Sequence, residues 1–142
     1  MPEIPQQPSP ERKELGKEET TMKLTAEEVR ALIDQVGPSL GYDHTYAPVF
    51  PEGRSDVCAV RRLAEDGSTY GFDTIYLVWK TKEGELRWRE LINSRSSKDY
   101  IHILDVRQEE GNIIVEVGSG GSYSGSPWSR SIKIPLDDLE LA

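Results

Sequence analysis

The sequence predicts a mainly β protein, α+β by count: an antiparallel meander of about six strands closing into a small barrel or sandwich, with one N-terminal amphipathic helix packed on it. Three features carry that prediction. Short apolar-rich runs recur through residues 57–117 and again at 128–135. Turns with an acid-Gly core separate them, at Asp66-Gly67, Glu83-Gly84 and Glu110-Gly111, and glycine supplies the positive φ that a tight hairpin turn demands. Helical periodicity with caps at both ends occurs in one stretch, 25–37.

Residues 1–21 hold four prolines in the first ten positions and then mixed charge with almost nothing apolar. Such a composition cannot bury enough surface to offset its ordering entropy, so a disordered tail is expected over 1–22, ahead of one globular domain over 23–142. The helix comes next. Thr25 and Glu28 form a capping box, with Leu24 and Val29 at the hydrophobic-staple positions. Val29, Leu32, Ile33 and Val36 fall at i, i+3, i+4 and i+7, which makes one apolar stripe, and Gly37-Pro38 stops the helix. From 40 to 54 the chain is rich in Pro and Gly and reads as a loop or broken edge strand, because Pro48 and Pro51 cannot sit in a central one. Its aromatic residues either rim a binding site or cover the end of the core.

Strands are then expected over 57–64, 69–80, 86–92, 100–108 and 113–117, five in a row and paired as neighbours, since short turns join sequential strands side by side. A sixth is expected over 128–135, followed by one helical turn over 136–142. The Gly/Ser run 118–127 reads as an Ω-type loop or flexible connection.

The best-specified unit is the hairpin 74–92. With Glu83-Gly84 as a two-residue loop, Lys82 faces Glu85, Trp79 faces Trp88 and Ile75 faces Ile92. One face is then apolar, and the other carries Tyr76, Val78, Lys80, Arg87, Arg89 and Leu91.

Function is less legible. The net charge is −8, which argues against a phosphate-backbone binder, since counterion release needs clustered cations. Cys58 is the one cysteine, so neither an internal disulfide nor a Cys-based zinc cluster is expected. It sits in an apolar run as an inert core residue. No run approaches a membrane span or a signal-peptide core, and a cytoplasmic protein is the expectation. His44 and His102 belong to no metal-ligand pattern, although Asp43, Asp99 and the two histidines could in principle meet. The run GGSYSG is not a nucleophile elbow, and no cofactor motif is present.

One charge feature runs against the chain's sign. Between Arg54 and Lys98 there are nine basic and seven acidic residues. If Lys80, Arg87 and Arg89 share a hairpin face beside Tyr76, they form a small positive patch. Three readings follow. The leading one is a non-catalytic binding or accessory domain, recognising an acidic partner or small anionic ligand through that face, with Tyr42, Tyr46 and Tyr123 as loop contributors. The second is a small enzyme with a pocket between helix and sheet lined by His44, Tyr46 and His102. The third is a single-strand nucleic-acid binder on a small barrel, which the acidic charge disfavours.

Overall fold

The computed structural model describes residues 22–37, 39–65, 67, 71–95, 99–120 and 126–142. The chain runs α1 (Ala26–Ile33), β1 (Asp43–Thr45), β2 (Val57–Ala64), β3 (Phe72–Lys80), β4 (Leu86–Asn93), β5 (His102–Glu109), β6 (Asn112–Ser119), β7 (Trp128–Pro135) and a closing 3-10 turn, Leu136–Leu139. Apart from Met22, the expected tail lies outside the described residues, as do Asp66, the first residues of the strand expected at 69, and Tyr123 with residues 121–125 of its Gly/Ser loop.

The helix starts as its N-terminal cap dictates but ends at Ile33, with Asp34 as its C-cap, ahead of the expected stop at Gly37-Pro38, of which Pro38 lies outside the described residues. The Thr25 hydroxyl accepts from the Glu28 amide at 3.1 Å, and the Glu28 carboxylate accepts from the Thr25 amide at 3.0 Å, so two N–H groups that the first turn leaves free are satisfied reciprocally. Val29 and Ile33 are fully buried, with Leu32 and Val36 partly so.

Instead of five strands in one sheet, the chain builds two antiparallel sheets, ordered β1-β2-β3-β4 and β5-β6-β7. The meander breaks after β4 for a physical reason. β3 is buried from Asp73 to Trp79, so both of its faces need cover. Tyr76 and Val78 pack with Cys58 and Val60 under α1. Ile75, Leu77 and Trp79 face the other way, and an eight-residue helix on one side leaves them bare. The second sheet supplies that layer: Val106, Ile113, Val115, Val117 and Ile134 join Val57, Ala59, Ile75, Leu77 and Trp79 in the larger core. The result is helix on sheet on sheet, a sandwich rather than a closed barrel.

A buried carboxylate guides the crossing between sheets. The Asp73 backbone exchanges hydrogen bonds with Ser94, its carbonyl accepting from the Ser94 amide and its amide donating to Ser94 Oγ, both at 2.8 Å. Its carboxylate accepts from the Ile101 amide at 2.9 Å and from Arg61 Nε at 2.7 Å.

The β3–β4 hairpin corrects the expected register. The loop is Lys82-Glu83-Gly84, one residue longer than expected, closed by the Thr81 amide on the Glu85 carbonyl and the Gly84 amide on the Thr81 carbonyl, each 2.8 Å, with Gly84 at φ 89. A three-residue loop ending in a left-handed glycine is the usual next choice after the two-residue turn. Val78 therefore faces Trp88, and Trp79 faces Arg87. A bulge between Ile75 and Tyr76 in the pairing restores Ile75 opposite Ile92, so the two ends of the hairpin obey different offsets. The β5–β6 turn, by contrast, has a two-residue loop at the expected Glu110-Gly111 core: Glu109 pairs with Asn112, and Glu110 and Gly111 lie at φ 51 and 82.

Candidate functional site

The helix covers only part of its sheet face. Past its C-terminus a groove of about 220 Å³ remains, lined by Val36, Gly37, Leu40, Arg62, Ala64, Phe72, Thr74, Tyr76, Trp88, Glu90 and Arg95. Thr74 and Tyr76 are buried and lie on the central strand. Phe72 comes from the start of the same strand, while Trp88 and Glu90 come from the outer strand β4. Their alternation puts all five on the helix side, since Phe72, Thr74 and Tyr76 alternate along β3, Tyr76 pairs with Glu90 and Val78 with Trp88, and directly opposed residues share a face. Trp88 stands edge-on to Tyr76, centroids 5.7 Å apart, and is 43% exposed. A tryptophan left half in water beside a buried ring is an unusual use of so large an apolar side chain.

Two arginines border this groove in different ways. Arg62 is buried and held on all sides: it binds both oxygens of Asp43, at 2.9 and 2.8 Å, and donates to the carbonyls of Ile33 and Gly37. Thus a cation closes the carbonyl end of the helix, where its dipole favours positive charge. The hydrogen bond and charge of Arg62 hold the Asp43 carboxyl below its usual range against the opposing effect of burial, and Asp43 in turn raises Arg62. Arg95 lies 4.5 Å over the Phe72 ring and, among the described residues, meets no carboxylate. The groove's carboxylate, Glu90, accepts from the Asn93 amide group at 2.7 Å. Aromatic rings, one engaged acid and one cation with no carboxylate partner among the described residues make a surface suited to holding a flat or apolar group that carries negative charge.

The residues expected to share a basic face do not share one. Lys80 lies on the helix side with Tyr76 and binds Glu28 at 2.9 Å and the Lys23 carbonyl at 3.0 Å. The Glu28 carboxyl is lowered by the Thr25 amide and then by Lys80. Arg87 and Arg89, opposite Trp79 and Leu77, lie on the other face. Arg87 pairs with Glu85 at 2.6 Å, whereas Arg89 sits 5.9 Å from the Trp79 ring centroid with no carboxylate among the described residues. The reason is the longer loop, which slips β4 by one residue and exchanges its faces. Tyr76 is therefore the one expected hairpin residue in the groove; Trp88, assigned by the sequence to the core, is its principal exposed ring.

Three of the loop candidates do come together. Tyr42, His44 and Tyr46 alternate along and just past β1, with ring centroids 6.5 and 4.4 Å apart. Arg61 covers Tyr46 at 4.2 Å and reaches His102 Nδ1 at 3.2 Å, so that nitrogen accepts. The row lies on the sheet face away from α1, since His44 pairs with Leu63 and Arg61 points with Ala59. It is thus not a pocket between helix and sheet, and both histidines are exposed. Asp43 is engaged with Arg62 on the opposite face, and Asp99 lies near Trp128 Nε1, 3.4 Å away. No group of three or more His, Cys, Asp or Glu side chains able to hold a metal ion occurs among the described residues. Burial pushes the Cys58 thiol up to about 12, which leaves it without nucleophilic character at neutral pH. No described helix is long and apolar enough to cross a membrane.

Compared with known proteins, the chain matches no family model, no curated protein and no solved structure. Its class rests on the architecture of the described residues, two antiparallel sheets with a helix packed on one of them.

Proposed function

We propose that this protein is a non-catalytic binding domain whose ligand surface is the aromatic groove beyond the C-terminus of α1. The observation that carries the reading is Trp88, 43% exposed at the open side of a groove floored by buried Tyr76 and Thr74. Tryptophan, tyrosine and arginine are the side chains enriched among the few that carry most of the energy of a recognition surface. The Arg95 guanidinium, which meets no carboxylate among the described residues, favours an anionic ligand or partner, in agreement with the charge reversal of this part of the chain.

Phenylacetate, an aromatic ring with one carboxylate, is a suitable probe. Titrated into the isotope-labelled protein, it shifts the Trp88 indole and Phe72 signals; Trp88→Ala removes the shift and Arg95→Ser weakens it. An unchanged spectrum at millimolar probe would withdraw the proposal. The enzyme reading has less to support it, because His44 and His102 stand at the surface and the groove holds neither histidine nor a carboxylate pair. The nucleic-acid reading has a row of rings in its favour but a net charge of −8 against it.

A further inference from the structure

The groove has a neighbour that narrows what enters it. β4 is the outer strand of its sheet, and the described backbone hydrogen bonds of residues 86–90 all run to β3. Among the described residues its other side has no backbone partner for its N–H and C=O groups, which makes it a template for a further strand. Edges are commonly guarded by brevity or by a bulge. β1 is three residues long, and β5 is interrupted near Leu104. The irregularity in β4 lies at Leu91, near its end, and leaves residues 86–90 regular. What sets β4 apart among the described edges is that two of its side chains, Trp88 and Glu90, also line the groove.

We infer that the ligand of this protein is an extended peptide segment that adds to β4 as a further strand, with apolar side chains on the groove face alternating with acidic side chains that meet Arg89 and Arg87. The inference rests on the groove being the binding surface. It follows from the period of a strand: a peptide hydrogen-bonded along β4 places successive side chains on opposite faces. On the helix side they meet Leu86 and Trp88, 36% and 43% exposed. On the other they meet Arg87 and Arg89, of which Arg89 has no carboxylate partner among the described residues. Main-chain hydrogen bonds give the affinity, and the alternation of ring and guanidinium gives the choice of sequence.

A second copy of the chain fits this edge poorly. Antiparallel pairing of β4 with itself about Trp88 sets Arg87 of each copy against Arg89 of the other, and like charges directly opposite are unfavourable.

The test uses the full chain, isotope-labelled, with two pools of short synthetic peptides of equal composition. In one pool Asp or Glu alternates with Val, Ile, Phe or Tyr; in the other the acids and apolar residues stand in separate blocks. The alternating pool is expected to shift the Trp88 indole and to slow hydrogen exchange of the outward amides of residues 86–90. Arg89→Glu should weaken this binding about tenfold, and Trp88→Ala, a change at a half-exposed position, should abolish it. Blocked peptides should bind at least tenfold more weakly. Failure of the alternating pool while phenylacetate still binds overturns this inference and keeps the groove. A Trp88 shift without slowed exchange in β4 does the same. Loss of both peptide and phenylacetate binding removes both proposals, and a peptide-free dimer protected along β4 makes a second copy the occupant and overturns the inference.

Discussion

Arg61 and Arg62 are adjacent in sequence and point to opposite faces of β2; Arg89 and Arg95 lie at the outer edge of the same sheet. The first pair is fully engaged. Arg61 holds the completely buried Asp73 carboxylate through two nitrogens, at 2.7 and 3.1 Å, and Arg62 holds Asp43 and the end of the helix. The second pair rests over aromatic rings without a carboxylate among the described residues. A count of charges along the chain gives these four residues equal weight. Their surroundings divide them into cations that organise the fold and cations left over for a ligand, because a guanidinium already bound in two-pronged fashion has little left to offer.

Substitutions should separate the two groups, and the largest effect belongs at Asp73. Asp73→Ala strands Arg61 and leaves the Ile101 amide and its sheet crossing without an acceptor. A loss of about 3–5 kcal/mol, the range for breaking one side of a buried pair, should appear in the urea unfolding midpoint. A loss below about 1 kcal/mol would place Arg61 with the edge arginines.

Arg62→Met comes next, removing the donor to two helix-end carbonyls while keeping an apolar stem. A cost of about 1–3 kcal/mol is expected from the unsatisfied acceptors. The pH dependence should change with it. Asp43 and Glu28 both have folded-state values below their unfolded ones, so below those values the unfolded chain takes up protons first. Their contribution is present above the ordinary carboxylate range and is lost as pH falls through the lowered values. In unfolding measured from neutral pH downward, Arg62→Met should flatten this acid loss; an unchanged slope would mean that Asp43 gains nothing from its partner.

Thr25→Ala tests the helix that roofs one end of the groove and should cost about 1 kcal/mol, the usual value of an N-cap. The smallest effect on stability is expected at the edge. Arg89→Ser should stay within about 0.5 kcal/mol of the parent, as surface substitutions do; a larger loss in the same urea assay would show that its place over Trp79 belongs to the fold.

Much of the architecture was legible residue by residue. The Thr25–Glu28 box, the Val29–Ile33 stripe and the Glu110-Gly111 turn are read from contacts within a few residues, and they form as expected. So does β2, and the broken edge of the loop before it appears as β1 and the Val49–Ala59 bridge. The groove was half legible. The sequence points to Tyr76, but two tryptophans at mirrored positions in a hairpin suggest a pair, which places Trp88 on the apolar face with Trp79. The available signal was the continuous apolar run of β3, which implies cover on both faces.

The sequence by itself determined where the strands lie to within a few residues, how the helix begins, and that the hairpin around Gly84 exists, because these depend on φ preferences and on period-2 or 3.6-residue patterns a few residues long. Only the tertiary structure decided the loop length that exchanged the faces of β4, the break into two sheets at Asp73 and Ser94, and the separation of Lys80 from Arg87 and Arg89. Those outcomes turn on a one-residue offset and on what covers each face of β3. No local pattern encodes either, since the competing registers satisfy the same alternation and differ only in what each face meets across the core.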